Sequence, residues 1–325
     1  MVGISDLLRL WSIQNLHLTP SAKSAAIPEA ADPMNIWQNY HLADSVEDAL
    51  HTLVSTPGVA NFIGGGTDLL LDLQQGRHDP VHTLIDITEI PELCALEIRA
   101  GELFIGAGVP HRKIVHSHLV QAHADALAEA CGLIGGPQVR NTATLGGNVA
   151  HALPAADGTI ALMALNAEAE IAGLSGRRRA PLSEIFLGPG KNSLEDELLV
   201  GFYIALKQIG EASAFKRVMR PQGVAIAILN LGVWLHRDGN IIADVRIAVG
   251  PSGPVPRRMT QAEEALRGNP PTGEFIAKAF GCILDQASFR TSRHRATSTY
   301  RQHVVGVLLE ETLLAAFGRA DQATE

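Results

Sequence analysis

Two short runs carry the residue types from which a backbone anion site can be built. Gly64-Gly65-Gly66-Thr67-Asp68 follows the apolar run Val59-Ala60-Asn61-Phe62-Ile63, and Thr144-Leu145-Gly146-Gly147-Asn148 ends a segment opened by Gly135-Gly136-Pro137. Each puts several N–H groups, a threonine hydroxyl and a polar side chain at the end of an apolar stretch. Without a Cβ the backbone can approach a ligand closely, and successive amides attract phosphate oxygens without a cationic side chain. Two such runs facing one another could hold both phosphates of a dinucleotide. Taken singly, either run could be a turn that needs glycine for positive φ and binds nothing. A strand-turn-helix nucleotide fingerprint is matched in part, since Gly64 and Gly66 follow a strand-like run and Asp86 lies 20 residues beyond Gly66. Its third small position is occupied by Leu69, and no clear crossover helix is expected after it. No Lys-Ser or Lys-Thr pair follows either run, so a Walker-type phosphate loop is excluded.

The elements around these runs are legible in outline. Ser45 is a suitable N-cap for a helix over Val46 to Leu53, with Glu47 and Asp48 in its first turn and Thr56-Pro57-Gly58 as a stop. A strand then feeds the first glycine run, a short helix or turn ends at Gly76, and the alternating run His82 to Thr88 predicts a strand with Asp86 near its end. A hairpin is expected around Ala100-Gly101, then a helical stretch from Pro110 to Ile134. After the second run come a helix from Gly158 to Ala167, a strand over 169–173, the loop with Gly188-Pro189-Gly190 and a strand over 197–206. Beyond about Gly210 the pattern changes to long antiparallel strands, with Asp238-Gly239 as hairpin turn residues, and helices around 260–268, 271–287 and 299–317.

Composition limits the classes of function. The 325 residues are 46% hydrophobic and carry a net charge of −8, which suits a folded globular protein and excludes a broad nucleic-acid surface. The run Arg177-Arg178-Arg179 reads as a solvated turn. Cys94, Cys131 and Cys282 lie far apart and supply neither a disulfide framework nor a cluster site, and no metal site is expected in this chain. Of the histidines His111, His116, His118 and His123, only His116 and His123 share a helical face, and no metal-ligand spacing appears. No stretch is long and apolar enough to span a membrane, so a cytoplasmic protein is expected.

The order and spacing of the blocks NFIGGGTDLLLDLQQG, LIDITEIPEL, FIGAGV and GPQVRNTATLGGNVAHALPAADGT resemble the FAD-binding domain of the flavin subunits of molybdenum hydroxylases. That family includes carbon monoxide dehydrogenase, xanthine dehydrogenase and 4-hydroxybenzoyl-CoA reductase. The likeness runs from about residue 36 to residue 318, where YRQHVVGVLLEETL resembles the closing helix of the family's C-terminal domain. It implies an α+β chain: a p-cresol methylhydroxylase-like FAD-binding fold of two α/β subdomains over 34–210, and an antiparallel sheet-and-helix domain over 211–325. Residues 1–33 would be an N-terminal extension. Carried over position by position, Phe62, Ile63, Gly64, Gly65, Gly66, Thr67, Asp68 and Leu69 resemble the first pyrophosphate loop, and Ala107 and Gly108 resemble residues that line the cofactor. Val139, Ala143, Thr144, Gly147 and Asn148 resemble the second loop. Asp157 matches a carboxylate for a ribose or nearby polar part of FAD, Leu198 and Leu199 match apolar contacts, and Lys216 matches a lysine near the isoalloxazine ring. Read from the residues alone, Leu198 and Leu199 could equally be strand core, Lys216 a surface lysine and Asp157 the N-cap of the following helix.

The same resemblance implies an electron-transfer subunit with FAD as its cofactor and no catalytic acid or base of its own. Its partners would be a large subunit carrying the molybdenum cofactor and a small subunit with [2Fe-2S] clusters, in a dimer of heterotrimers, with electrons leaving to NAD, a quinone or oxygen. The cysteine-rich insertion of the hydroxybenzoyl-CoA type is absent, so no cluster is expected in this chain. Gln222 and Gly223 replace the acidic pair of the xanthine dehydrogenase type, which leaves the acceptor open. The loop GPGKN lacks the tyrosine that stacks on the flavin in the carbon monoxide dehydrogenase type, and Phe186 is the candidate substitute. A covalent flavin link at His151 is a remote variant. The rival readings are a stand-alone FAD oxidoreductase with its own substrate pocket, and a scaffold that kept the fold without the cofactor.

Overall fold

The computed structural model describes residues 36–220, 226–293 and 295–322; the extension expected over residues 1–33, and Gln222 and Gly223, lie outside the described residues. Ser45 sits in extended backbone, and its Oγ accepts the Asp48 amide at 3.2 Å, which starts α1 (Val46–Ser55) where the sequence places it. Around α1 lie β1 (Trp37–Leu42), β2 (Ala60–Ile63), α2 (Leu69–Gln74) and β3 (Val81–Asp86). The strands form a parallel sheet in the order β1-β3-β2, with Ile63 opposite Asp86. The six-residue α2 is thus a crossover between adjacent parallel strands, an element the sequence did not make clear. Asp86 is occupied locally: it accepts the Thr88 amide at 2.8 Å and the Tyr40 hydroxyl.

A second, antiparallel sheet follows a 3₁₀ turn at Pro91–Cys94. Its first hairpin joins β4 (Leu96–Arg99) to β5 (Glu102–Gly106) through Ala100 and Gly101, both at positive φ (53° and 83°), the paired left-handed turn the Ala-Gly tip predicts. The stretch read as one helix from Pro110 onward is three: α3 (His111–Val115), α4 (His118–His123) and α5 (Asp125–Leu133). Ser117 caps α4, and Ala124 leaves the helical region at φ −145°, so the backbone restarts twice. Then come α6 (Pro137–Thr142), α7 (Leu145–Ala150), α8 (Asp157–Ala164), β6 (Glu168–Gly173), β7 (Gly176–Pro181), the small ribbon β8 (Phe186–Gly188) with β9 (Lys191–Asn192), and β10 (Leu198–Ala205).

The five long strands pair in the order β4-β5-β10-β6-β7. Alternation along β10, shifted in phase by the irregularity between Leu199 and Gly201, divides its side chains between two cores. Leu198 and Val200 join Val46, Ala49 and Leu50 of α1, whereas Leu199 and Phe202 join Leu127, Leu145, Val149 and Ile160 of α5, α7 and α8. Each such fully buried aliphatic side chain contributes about 1.5–3 kcal/mol. Arg177, Arg178 and Arg179 are not a turn but the edge strand β7, paired with Glu47, Glu92, Glu170, Glu197 and Glu102, and the Arg179 guanidinium lies 3.3 Å from the Tyr203 ring centroid. Charge on an edge strand blocks further strand pairing, which is why the run lacks apolar alternation.

The C-terminal part is an antiparallel sheet of β11 (Glu211–Val218), β12 (Leu229–Asp238), β13 (Ile241–Gly250) and β14 (Arg257–Arg258), with α9 (Thr260–Leu266), α10 (Gly273–Gln286) and α11 (Ser298–Gln322). Asp238 pairs with Ile241, so the turn residues are Gly239 and Asn240 rather than Asp238-Gly239. α9, α10 and α11 share one apolar core with the sheet. Its opposite face meets α5 and α8: the Ala126 amide donates to Ser213 Oγ at 3.0 Å, and the Phe215 amide to a Glu129 carboxylate oxygen at 2.7 Å. Among the described residues no helix is long and apolar enough to cross a membrane.

Candidate functional site

The fold brings the two glycine runs into contact. A Cβ on Gly65 would overlap the Thr142 carbonyl oxygen and lie 2.8 Å from Ala143 Cα, and one on Gly64 would lie 3.4 Å from Thr144 Oγ1. Gly66 adopts φ +66°, which L side chains avoid, and its carbonyl accepts the Leu70 amide at 3.0 Å to start α2. Glycine is therefore required at Gly65 by the approach to the 142–143 backbone and at Gly66 by a left-handed turn, while Gly64 stands within ordinary contact of Thr144. Among the described residues the amides of Gly64, Gly65, Gly66 and Thr67 have no protein acceptor. A row of free amides beside a glycine cradle is suited to an oxyanion.

The second run differs from its expected form. It is not an open loop: Thr144 caps α7, its Oγ1 accepting the Gly147 amide at 3.0 Å. The Leu145 amide goes to the Val109 carbonyl at 3.1 Å, and the Gly146 amide to the Ala107 carbonyl at 2.8 Å. Ala107 and Gly108 in turn donate to the Val200 and Leu93 carbonyls, each at 2.8 Å, and the His111 amide donates to the Ala143 carbonyl at 3.1 Å. These bonds fasten the second run to β10 through the Ala107–Val109 segment, so its amides hold the site in place while the first run presents free donors. Asn148 Oδ1 accepts the Thr159 amide at 3.1 Å, so Asn148, not Asp157, caps α8. His151, just after α7, reaches back to Asp68, with 4.0 Å between Nε2 and Oδ1.

The remaining expected residues fall into two groups. Phe62 and Ile63 end β2, Leu69 begins α2, and Val139, in α6, packs against Gly135, which stands at φ +52°. Leu198 and Leu199 are buried on opposite faces of β10. Asp157 is nearly sealed from solvent and bound by two residues the sequence did not single out. Arg217 donates to one carboxylate oxygen, and Asn230 Nδ2 donates to the other at 2.6 Å. Burial pushes the Asp157 carboxyl up, against the pull of the Arg217 charge and the Asn230 and Arg217 hydrogen bonds. Lys216 is not brought to this cluster: it pairs with Glu311 of α11 at 2.8 Å. Phe186 is buried in the core, while Leu187 is the exposed apolar residue of β8. His111 is buried with Nδ1 unpartnered among the described residues, and burial with the nearby Arg140 charge lowers its pKa to about 4. A separate cleft of about 740 Å³, lined by Leu96, Arg112, Lys113 and His118 among others, contains none of the expected site residues.

Comparisons with known proteins give the family of the chain. The model of the FAD binding domain in molybdopterin dehydrogenase matches residues 34–204, and that of the CO dehydrogenase flavoprotein C-terminal domain matches residues 213–316. The chain belongs to this flavoprotein family. It is 30% identical to the xanthine dehydrogenase FAD-binding subunit of Escherichia coli O157:H7, over 87% of this chain and 97% of that one. It is also 30% identical to the carbon monoxide dehydrogenase medium chain of Hydrogenophaga pseudoflava, over 86% of this chain and 97% of that one. A solved structure of the Hydrogenophaga pseudoflava carbon monoxide dehydrogenase superposes with a TM-score of 0.82 at 30% identity, covering 87% of this chain and 98% of the other. The fold is therefore the FAD-binding fold of these flavoproteins with its C-terminal sheet-and-helix domain, and the chain is an oxidoreductase subunit carrying an FAD-binding domain.

Proposed function

We propose that this chain holds FAD with the diphosphate between the first glycine run and the start of α7, and relays electrons from the [2Fe-2S] clusters of a partner subunit to an external acceptor. The observation that carries the reading is the contact of the Gly64–Gly65 backbone with residues 142–144, beside amides that lack acceptors among the described residues. Gly64, Gly65, Gly66 and Thr67 would offer N–H groups and a hydroxyl to phosphate oxygens. Phe62, Ile63, Asp68 and Leu69 would set the cradle's walls, and Val139, Ala143, Thr144, Gly147 and Asn148 would form the facing side. Ala107 and Gly108 support that side, and Asp157 would accept from a hydroxyl of the cofactor. Leu198 and Leu199, buried on opposite faces of β10, would supply apolar contacts behind the site. Bound there, FAD would supply a centre able to take up two electrons and release them singly. The chain's own contribution is to bind, orient and exclude water.

The chain would work in the cytoplasm, in a dimer of heterotrimers with a large molybdenum-cofactor subunit and a small iron–sulfur subunit. Purification of the tagged chain from its native source tests this. Stoichiometric molybdenum, [2Fe-2S] electron paramagnetic resonance signals and two further subunits are the expected result. Isolation as a lone flavoprotein that oxidises a substrate by itself would replace the proposal with a stand-alone oxidase or dehydrogenase.

A further inference from the structure

Strand alternation sends neighbouring cations of β11 to opposite faces of the C-terminal sheet. Lys216 goes to α11, where it pairs with Glu311 on the surface. Arg217 goes to the other face, where its side chain is only 5% exposed. There its guanidinium donates to the Asp157 carboxylate and to the Leu133 carbonyl at the end of α5. Asn230 stands opposite Arg217 in register on β12 and donates both to Asp157 and, at 3.1 Å, to the Ala155 carbonyl. Among the described residues, Arg217 Nε and Asn230 Oδ1 have no partner in this buried place. The cluster is thus built from two strands of one domain and two helix ends of the other, and the described residues do not fully satisfy it.

Arg217 also donates to Met219 Sδ at 3.0 Å, and its two oxygen acceptors lead to the glycine runs. Leu133 is followed by the segment that enters α6 and the second run, whose next two carbonyls, Ile134 and Gly135, are held by Arg140 at 3.0 and 2.7 Å. Asp157 opens α8, whose Thr159 amide is capped by Asn148 of α7. We propose that Arg217 is a positioning residue of the flavin site: from the C-terminal sheet it fixes the Asp157 carboxylate and the Leu133 carbonyl, and through them sets how tightly FAD is held. This inference rests on the proposed FAD reading. Lys216, the lysine that family resemblance places near the isoalloxazine ring, lies on the other face of the sheet.

The test measures FAD dissociation constants by flavin fluorescence, together with thermal midpoints, for the full chain and four variants. Arg217→Met should weaken FAD at least ten-fold, and Arg217→Lys should restore it to within about three-fold, because a cation again faces Asp157. Arg258→Met removes an ion pair to the buried Glu263 elsewhere in the C-terminal domain, and should lower the midpoint while leaving FAD affinity within two-fold. Should Arg217→Met fail to fold because it strands a buried carboxylate, the double variant Arg217→Met/Asp157→Asn removes that charge and should show the same ten-fold loss. Wild-type affinity in a folded Arg217→Met or double variant, with only the midpoint lowered, overturns the inference and leaves the FAD reading intact. A wild-type chain that takes up no FAD overturns the functional reading, and this inference with it.

Discussion

Gly65→Ala tests whether the contact between the two glycine runs is the site. The added Cβ would lie 2.8 Å from Ala143 Cα and overlap the Thr142 carbonyl oxygen, where ordinary contact begins at about 3.4 Å. Both obstacles are backbone, so no rotamer change relieves them. The runs must separate by at least about 0.6 Å, the difference between those two distances. Overpacking of this kind costs about 1–3 kcal/mol. If the strain is relieved by moving the free amides of Gly64 to Thr67 away from residues 142–144, FAD affinity should fall roughly 5- to 150-fold, the equivalent of that energy. Flavin fluorescence titration gives the affinity and urea unfolding the stability. Gly281→Ala is the control: it lies within α10 with open space at its Cβ, and should stabilise by about 0.5–1 kcal/mol without changing FAD binding. A Gly65→Ala protein with unchanged affinity and stability would refute the reasoning, since the runs would then not be in the contact described.

Three further outcomes are expected. His111 is neutral in the folded chain down to about pH 4 and titrates near 6.5 when unfolded, so the unfolded state binds more protons between those values and stability falls as pH drops through that window. The loss should reach about 2 kcal/mol at pH 5 relative to pH 7.5, and His111→Asn should flatten it in paired urea titrations. Thr144→Ala removes the α7 cap and should cost about 1 kcal/mol by the same assay, with weaker FAD binding because the facing side of the cradle loosens. Arg177→Ala breaks pairs with Glu47, Glu92 and Glu170, but these are partly exposed, so it should cost no more than about 1 kcal/mol, less in high salt, when thermal midpoints are compared at two ionic strengths.

Local chemistry was legible where a residue acts on its near neighbours. Ser45 announced its cap, Ala100-Gly101 its left-handed turn, and both glycine runs announced a close backbone approach. Three kinds of information were hidden. Thr144-Leu145-Gly146-Gly147 has poor helix propensity, so the start of α7 reads as a loop until the Thr144 cap and the bonds to Ala107 and Val109 hold it. Arg177 to Arg179 have no apolar alternation, because an edge strand needs charge rather than a buried face. The partners of Asp157 lie 60 and 73 residues away, on strands whose pairing only the folded sheet defines. No local pattern distinguishes Arg217 from Lys216, or says that Asn148 will cap a helix 11 residues on.

The central claim is that the first glycine run and the start of α7 hold the diphosphate of a flavin dinucleotide. Titrating the purified flavin-free chain with FAD, FMN and riboflavin tests it most directly, because only FAD carries the diphosphate. Tight stoichiometric uptake of FAD, with FMN and riboflavin weaker by at least a hundred-fold, is the result predicted. Equal affinity for all three, or uptake of none, would contradict it.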